Sequence, residues 1–91
     1  MKQRDIKGGA CFCHKGQCFK IEATKDSDSL FIYKGVGYLR DMIATVDVVT
    51  QRNMYVYTYW MGERIEKCIP LQEMSSITQY QYEEDNPFAH P

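Results

Sequence analysis

Ninety-one residues with eleven basic and twelve acidic side chains, a net charge of −1, make one small domain and exclude the global positive field that holds a nucleic-acid backbone. Apolar residues form 44% of the chain and aromatics 13%, which allows a buried core and excludes the disordered class. No run approaches the roughly 20 apolar residues of a membrane span, and the start lacks a secretory leader's apolar stretch, so the expectation is a cytoplasmic protein with no membrane partner.

The first eight residues are largely basic and polar and read as a flexible arm, 1–8. Next comes "GACFCHKGQCFKI", residues 9 to 21, with three cysteines and a histidine around Lys15-Gly16. Two hairpin registers fit it. If Lys15 and Gly16 alone turn the chain, Cys13 faces Cys18 as a non-hydrogen-bonded pair, and Cys11, Cys13 and Cys18 share the water-facing side with Lys20 and Glu22. If His14, Lys15 and Gly16 form a three-residue loop, the pairing slips by one and Cys11 and Cys13 join Phe19 and Ile21 inside. Turn chemistry favours the second, because the first asks Lys15 for a positive φ that Gly, Asn and Asp take most easily. The residues alone leave the register open. With no export signal the thiols are expected to be reduced.

"QCFKIEAT" alternates with a period of two and reads as a strand, broken by the turn formers of "KDSDS". "LFIYK" is a second strand ending at the glycines of "GVG". "YLRDMIATVDVV" reads as a short turn running into a β-branched strand, and "TQRNM" as a hairpin loop with Asn53 in its left-handed final position. "MYVYTYWM" is the plainest strand, turned over at Gly62, and "ERIEKCI" returns antiparallel to it. Pro70 ends that strand, a single helical turn follows it, and "ITQYQY" reads as a last short strand. Residues 83–91 read as an acidic tail.

The expected fold is all-β: a small antiparallel barrel over residues 9–82, with five or six short strands and a single helical turn after Pro70. In general layout this order resembles SH3-like barrels. The resemblance implies no ligand, since the acidic and aromatic residues that proline-binding SH3 domains use have no counterpart here.

Within "MYVYTYW" the alternation sends Tyr55, Tyr57 and Tyr59 to one face and Val56, Thr58 and Trp60 to the other. Val56 and Trp60, with Ile65 and Ile69, are assigned inward, which leaves an outward tyrosine row. Exposed tyrosines suit protein interfaces, and a small sheet with an open edge pairs readily with a copy of itself. The functional expectation is therefore a non-enzymatic binding module, engaging a protein partner or forming a homodimer through Tyr55, Tyr57 and Tyr59. Arg52 and Arg64 lie near this row in sequence, so an alternative reading has the same face stacking single-stranded nucleic acid. A third reading is a zinc or thiol site at Cys11, Cys13, Cys18 and Cys68, although C-x-C-x4-C with a distant fourth cysteine departs from the paired C-x2-C pattern of zinc knuckles. No metal or cofactor is expected. Cys13 and His14 are strand neighbours and point to opposite faces, which opposes a thiol–imidazole pair and supports the non-enzymatic reading.

Overall fold

The computed structural model describes residues 1–85. Strands β1 (Cys11–His14), β2 (Gln17–Ala23), β3 (Leu30–Lys34), β4 (Asp41–Val49), β5 (Asn53–Trp60), β6 (Glu63–Pro70) and β7 (Ser75–Ile77) form one antiparallel sheet, followed by helix α1 (Gln79–Asp85). The strand order is β6-β5-β4-β3-β2-β1-β7, a run of consecutive hairpins with β7 returning to the outer side of β1. The all-β expectation holds. The expected closed barrel of five or six strands does not: seven strands curl into a half-barrel whose edges, among the described residues, are β6 and β7. The SH3-like layout therefore fails in strand count and closure.

Alternation explains which side each strand buries. Phe12, Ile21, Ile32, Ala44, Met54 and Val56 project from the concave face and form the core with Ile6, Leu71 and Met74. Two bulges curl the sheet, one placing Ile43 between the pairs Ile32–Ala44 and Tyr33–Met42, the other inserting Asp47 between Val46–Val56 and Val48–Tyr55. One end of the trough is plugged. There the 3-10 turn Leu71–Glu73 after Pro70, expected from the sequence, buries Leu71, while the terminal ammonium of Met1 donates to the carbonyls of Leu71 and Met74. The segment expected to be a flexible arm thus carries a 3-10 turn at Gln3–Asp5 and delivers Ile6 to the core.

Four local expectations are overturned. The opening hairpin takes the two-residue turn, with Cys13 opposite Cys18 and Phe12 opposite Phe19, because Lys15 does adopt a positive φ (50°) beside Gly16 (79°). Cys13 and Cys18 are joined as a disulfide, contrary to the reduced thiols expected, and this covalent link holds the register that turn propensity disfavours. Asn53 is not left-handed: it opens β5, and the preceding loop is held by the Thr50 hydroxyl, which accepts from the backbone N–H groups of Arg52 and Asn53.

The fourth concerns "ITQYQY". Strand β7 stops at Ile77 and the chain turns into α1, because Thr78 and Gln81 form a reciprocal capping box: the Thr78 N–H donates to Gln81 Oε1 (2.9 Å) and the Gln81 N–H donates to Thr78 Oγ1 (3.1 Å). The helix packs on the convex face over β1 and β2 and buries Tyr82 there. Cys11 is consequently buried although it lies on the side assigned to water. Residues 83–85 belong to α1, and the remainder of the expected acidic tail lies outside the described residues.

Candidate functional site

The β5–β6 hairpin is the part of the sheet with least cover. Its turn is Met61-Gly62, both with positive φ (52° and 82°), so Trp60 opposite Glu63 is a hydrogen-bonded pair and the phase alternates from there. The donation from Leu71 N–H to the Arg52 carbonyl at the other end (2.8 Å) keeps the same phase. The sheet's core ends at Val56, and the hairpin continues past it into solvent. Tyr59 is 63% exposed, Trp60 69%, Met61 88% and Ile65 45%.

Tyr55, Tyr57 and Tyr59 lie in a row on the convex face, opposite Cys68, Glu66 and Arg64 of β6. They are not equally available. Arg64 lies over the Tyr57 ring with its guanidinium carbon 3.8 Å from the centroid, and Tyr59 meets Tyr57 edge-on at 6.0 Å. Tyr57 is thus half-buried beneath its neighbours, while Tyr55 and Tyr59 remain exposed. Trp60 was expected in the core with Ile65; both are exposed, because they belong to the concave face beyond the point where N-terminal and 3-10 segments fill the trough. Val56 and Ile69 do pack with the core.

The two arginines do not form one patch. Arg64 is engaged by Glu66 (2.8 Å) and Asp47 (3.3 Å), and its proton affinity is raised, chiefly by the hydrogen bond to Glu66. Arg52 sits in the β4–β5 loop at the opposite end of the hairpin, on the order of 20 Å along the strand. The four cysteines do not gather either. Cys13 and Cys18 are consumed by the disulfide, Cys11 is covered by α1, and Cys68 is exposed on the edge strand at the far side of the sheet. Among the described residues no group of three or more His, Cys, Asp or Glu side chains is placed to hold a metal ion. The four positions of the alternative zinc or thiol reading are therefore not brought together.

Comparison with protein-family models, with curated proteins and with solved structures finds no match to this chain.

The concave face adds a feature that sequence reading missed. Beyond the plugged end, the trough opens into a cleft of about 850 Å³ lined by Phe19, Ile43, Val56 and Ile65, with Lys34 and Lys67 among its polar residues. Curvature produces it, and the two bulges that produce the curvature leave no simple trace in a period-two pattern. His14, on the cleft's β1 side, lies 3.2 Å from Glu73.

On the convex face, burial beneath α1 pushes the Cys11 thiol up from its ordinary value. Burial likewise pushes Tyr82 up to about 12, and its hydroxyl donates to the carbonyl of Gly35. Glu84 accepts the Tyr80 hydroxyl hydrogen bond and raises that phenol too. Tyr82 anchors the helix to the sheet, whereas the Tyr80–Glu84 bond lies within the helix.

Proposed function

We propose that this chain is a non-enzymatic protein-binding module that engages its partner, whether another protein or a copy of itself, through the β5–β6 hairpin. The supporting observation is the exposure of Tyr59 on the convex face, Trp60 and Ile65 on the concave face and Met61 in the turn, all at the end of the sheet's least covered hairpin. Scattered apolar residues on a surface are ordinary; several large ones gathered at the end of one projecting hairpin, on both of its faces, mark an interaction surface. Aromatic side chains give large contact area at low entropy cost, which is why they concentrate at the centres of interfaces. The tyrosine row expected from the sequence remains part of this surface through Tyr55 and Tyr59, and its centre of gravity moves to the hairpin end.

Base stacking by the same rings has less support, since Arg64 is already paired with two carboxylates and Arg52 stands at the other end of the hairpin. The test is the variant Tyr59→Ser/Trp60→Ser/Met61→Ser. It is expected to keep the wild-type thermal midpoint within a few degrees while losing association, read by sedimentation velocity for self-association and by reconstitution with a purified captured protein for a foreign partner. Undiminished association of the triple variant by both measurements would sink the proposal.

A further inference from the structure

Strand β6 is a long edge strand, and the hairpin phase fixes which of its groups are unpaired. Trp60–Glu63, Thr58–Ile65, Val56–Lys67 and Met54–Ile69 are the hydrogen-bonded pairs, so the backbone groups of Arg64, Glu66 and Cys68 point away from β5. Among the described residues no strand lies on that side. An exposed edge of this length is a template for another strand, and charges along it ordinarily discourage the pairing.

The charges on β6 are arranged so that the strand matches itself. Its sequence, "ERIEK" over residues 63–67, has opposite charges at positions related by reversal about Ile65. Resting on the reading of the hairpin as the docking surface, we infer that its partner is a second copy of this chain, with β6 paired antiparallel to β6 about a two-fold axis at Ile65. In that register Arg64 faces Glu66 of the other copy twice, Glu63 faces Lys67 twice, and Ile65 faces Ile65. Residues that face each other lie on the same side of the sheet, as a two-fold axis perpendicular to it requires. Arg64 and Glu66 are also the residues with outward backbone groups, so each of these pairs exchanges both of its backbone hydrogen bonds across the axis. The central contact is apolar, between two Ile65 side chains that are 45% exposed in the single chain.

Neighbouring registers fail on charge or on donors. Centring on Glu66 sets two carboxylates against each other, and centring on Arg64 does the same for two guanidiniums. Centring on Lys67 opposes two ammonium groups and brings Arg64 against Pro70, which has no N–H to give. The charged residues that make β6 a poor template for a random strand therefore make it a selective one for its own copy.

Sedimentation velocity on the full chain across a concentration series tests this. Glu63 and Lys67 are the residues to change, because both are exposed and neither joins an ion pair among the described residues. The wild type is expected to dimerise. Glu63→Lys and Lys67→Glu should each weaken self-association by roughly tenfold or more, since two attractive pairs become repulsive. An equimolar mixture of the two variants should restore it as a heterodimer, because each like-charged edge then meets its opposite. Glu66→Pro, which removes an outward donor without taking a bond from the β5 ladder, should dissociate the dimer with little change in thermal midpoint.

A monomeric wild type overturns the inference while leaving the hairpin reading to the foreign-partner arm of its own test. So does a dimer indifferent to the charge variants and Glu66→Pro yet lost in Tyr59→Ser/Trp60→Ser/Met61→Ser, which places the contact on the hairpin end. A dimer indifferent to all of them overturns the inference and the self-association arm of the hairpin reading, whose foreign-partner arm then decides that reading.

Discussion

Tyr82 carries more of the structure than its position near the end of the chain suggests. Its ring is buried beneath α1 against the convex face and its hydroxyl is bonded to the carbonyl of Gly35, in the connection between β3 and β4. Desolvation is the main reason its phenol is raised to about 12, with Cys11 and Glu22 adding to it and Arg40 opposing. Between the ordinary tyrosine value near 10 and about 12, the unfolded chain has lost this proton while the folded chain keeps it, so stability falls as pH rises through that window and is level below it. Tyr82→Phe is expected to abolish this component of the alkaline decline. At neutral pH it should cost on the order of 1 kcal/mol for the lost hydrogen bond. Denaturant titrations of both proteins at pH 8 and pH 11.5 check both statements; equal alkaline losses would contradict the first.

Single residues also mark where sequence reasoning stopped. Lys15 and Met61 both take positive φ in two-residue turns, conformations that propensity assigns to glycine or asparagine. For Met61 the following Gly62 was signal enough to place the turn. For Lys15 the decisive constraint is the Cys13–Cys18 bond; spacing alone left the facing of these two cysteines as one register of two, with both thiols expected to be reduced.

At the scale of elements, the strands were legible because alternation and β-branched composition repeat along the chain: the regions read as strands from "QCFKIEAT" to "ERIEKCI" hold β2 to β6. Helix α1 was hidden by the same rule, since "ITQYQY" alternates as a strand would. The opposing signal was present in Thr78 and Gln81, spaced as a capping box. If that box holds the helix on the sheet, Thr78→Ala should cost about 1 kcal/mol and loosen α1 from its site. The readout is thiol chemistry on the non-reduced protein. Exposed Cys68 should react at once with a thiol reagent and buried Cys11 slowly; in Thr78→Ala the slow phase should accelerate while the fast phase stays put. An unchanged slow phase would mean that α1 does not depend on its cap.

For the whole molecule, the all-β class and, among the described residues, the absence of a helix long and apolar enough to cross a membrane followed from composition, whereas closure did not. Whether a sheet closes depends on the bulges at Ile43 and Asp47 and on what fills the trough, and the filling comes from segments read as an arm and a turn. Trp60 was misplaced for that reason: hydrophobicity identified its face, but only the finite length of the core decides that this face is bare at the hairpin end.

The β1–β7 ladder differs from every other in one respect. All remaining ladders join strands that follow each other along the chain, so they can zip in succession with small loop-closure cost, whereas this one closes a loop of about sixty residues. Strand β7 and the helix behind it should therefore dock after the rate-limiting barrier. Ile77→Ala is then expected to hasten unfolding and leave the refolding rate nearly untouched, while Val56→Ala, in the meander, slows refolding; stopped-flow chevrons distinguish the two. The late-docking end of the chain would act as a latch, governing how long the native state survives rather than how fast it is reached.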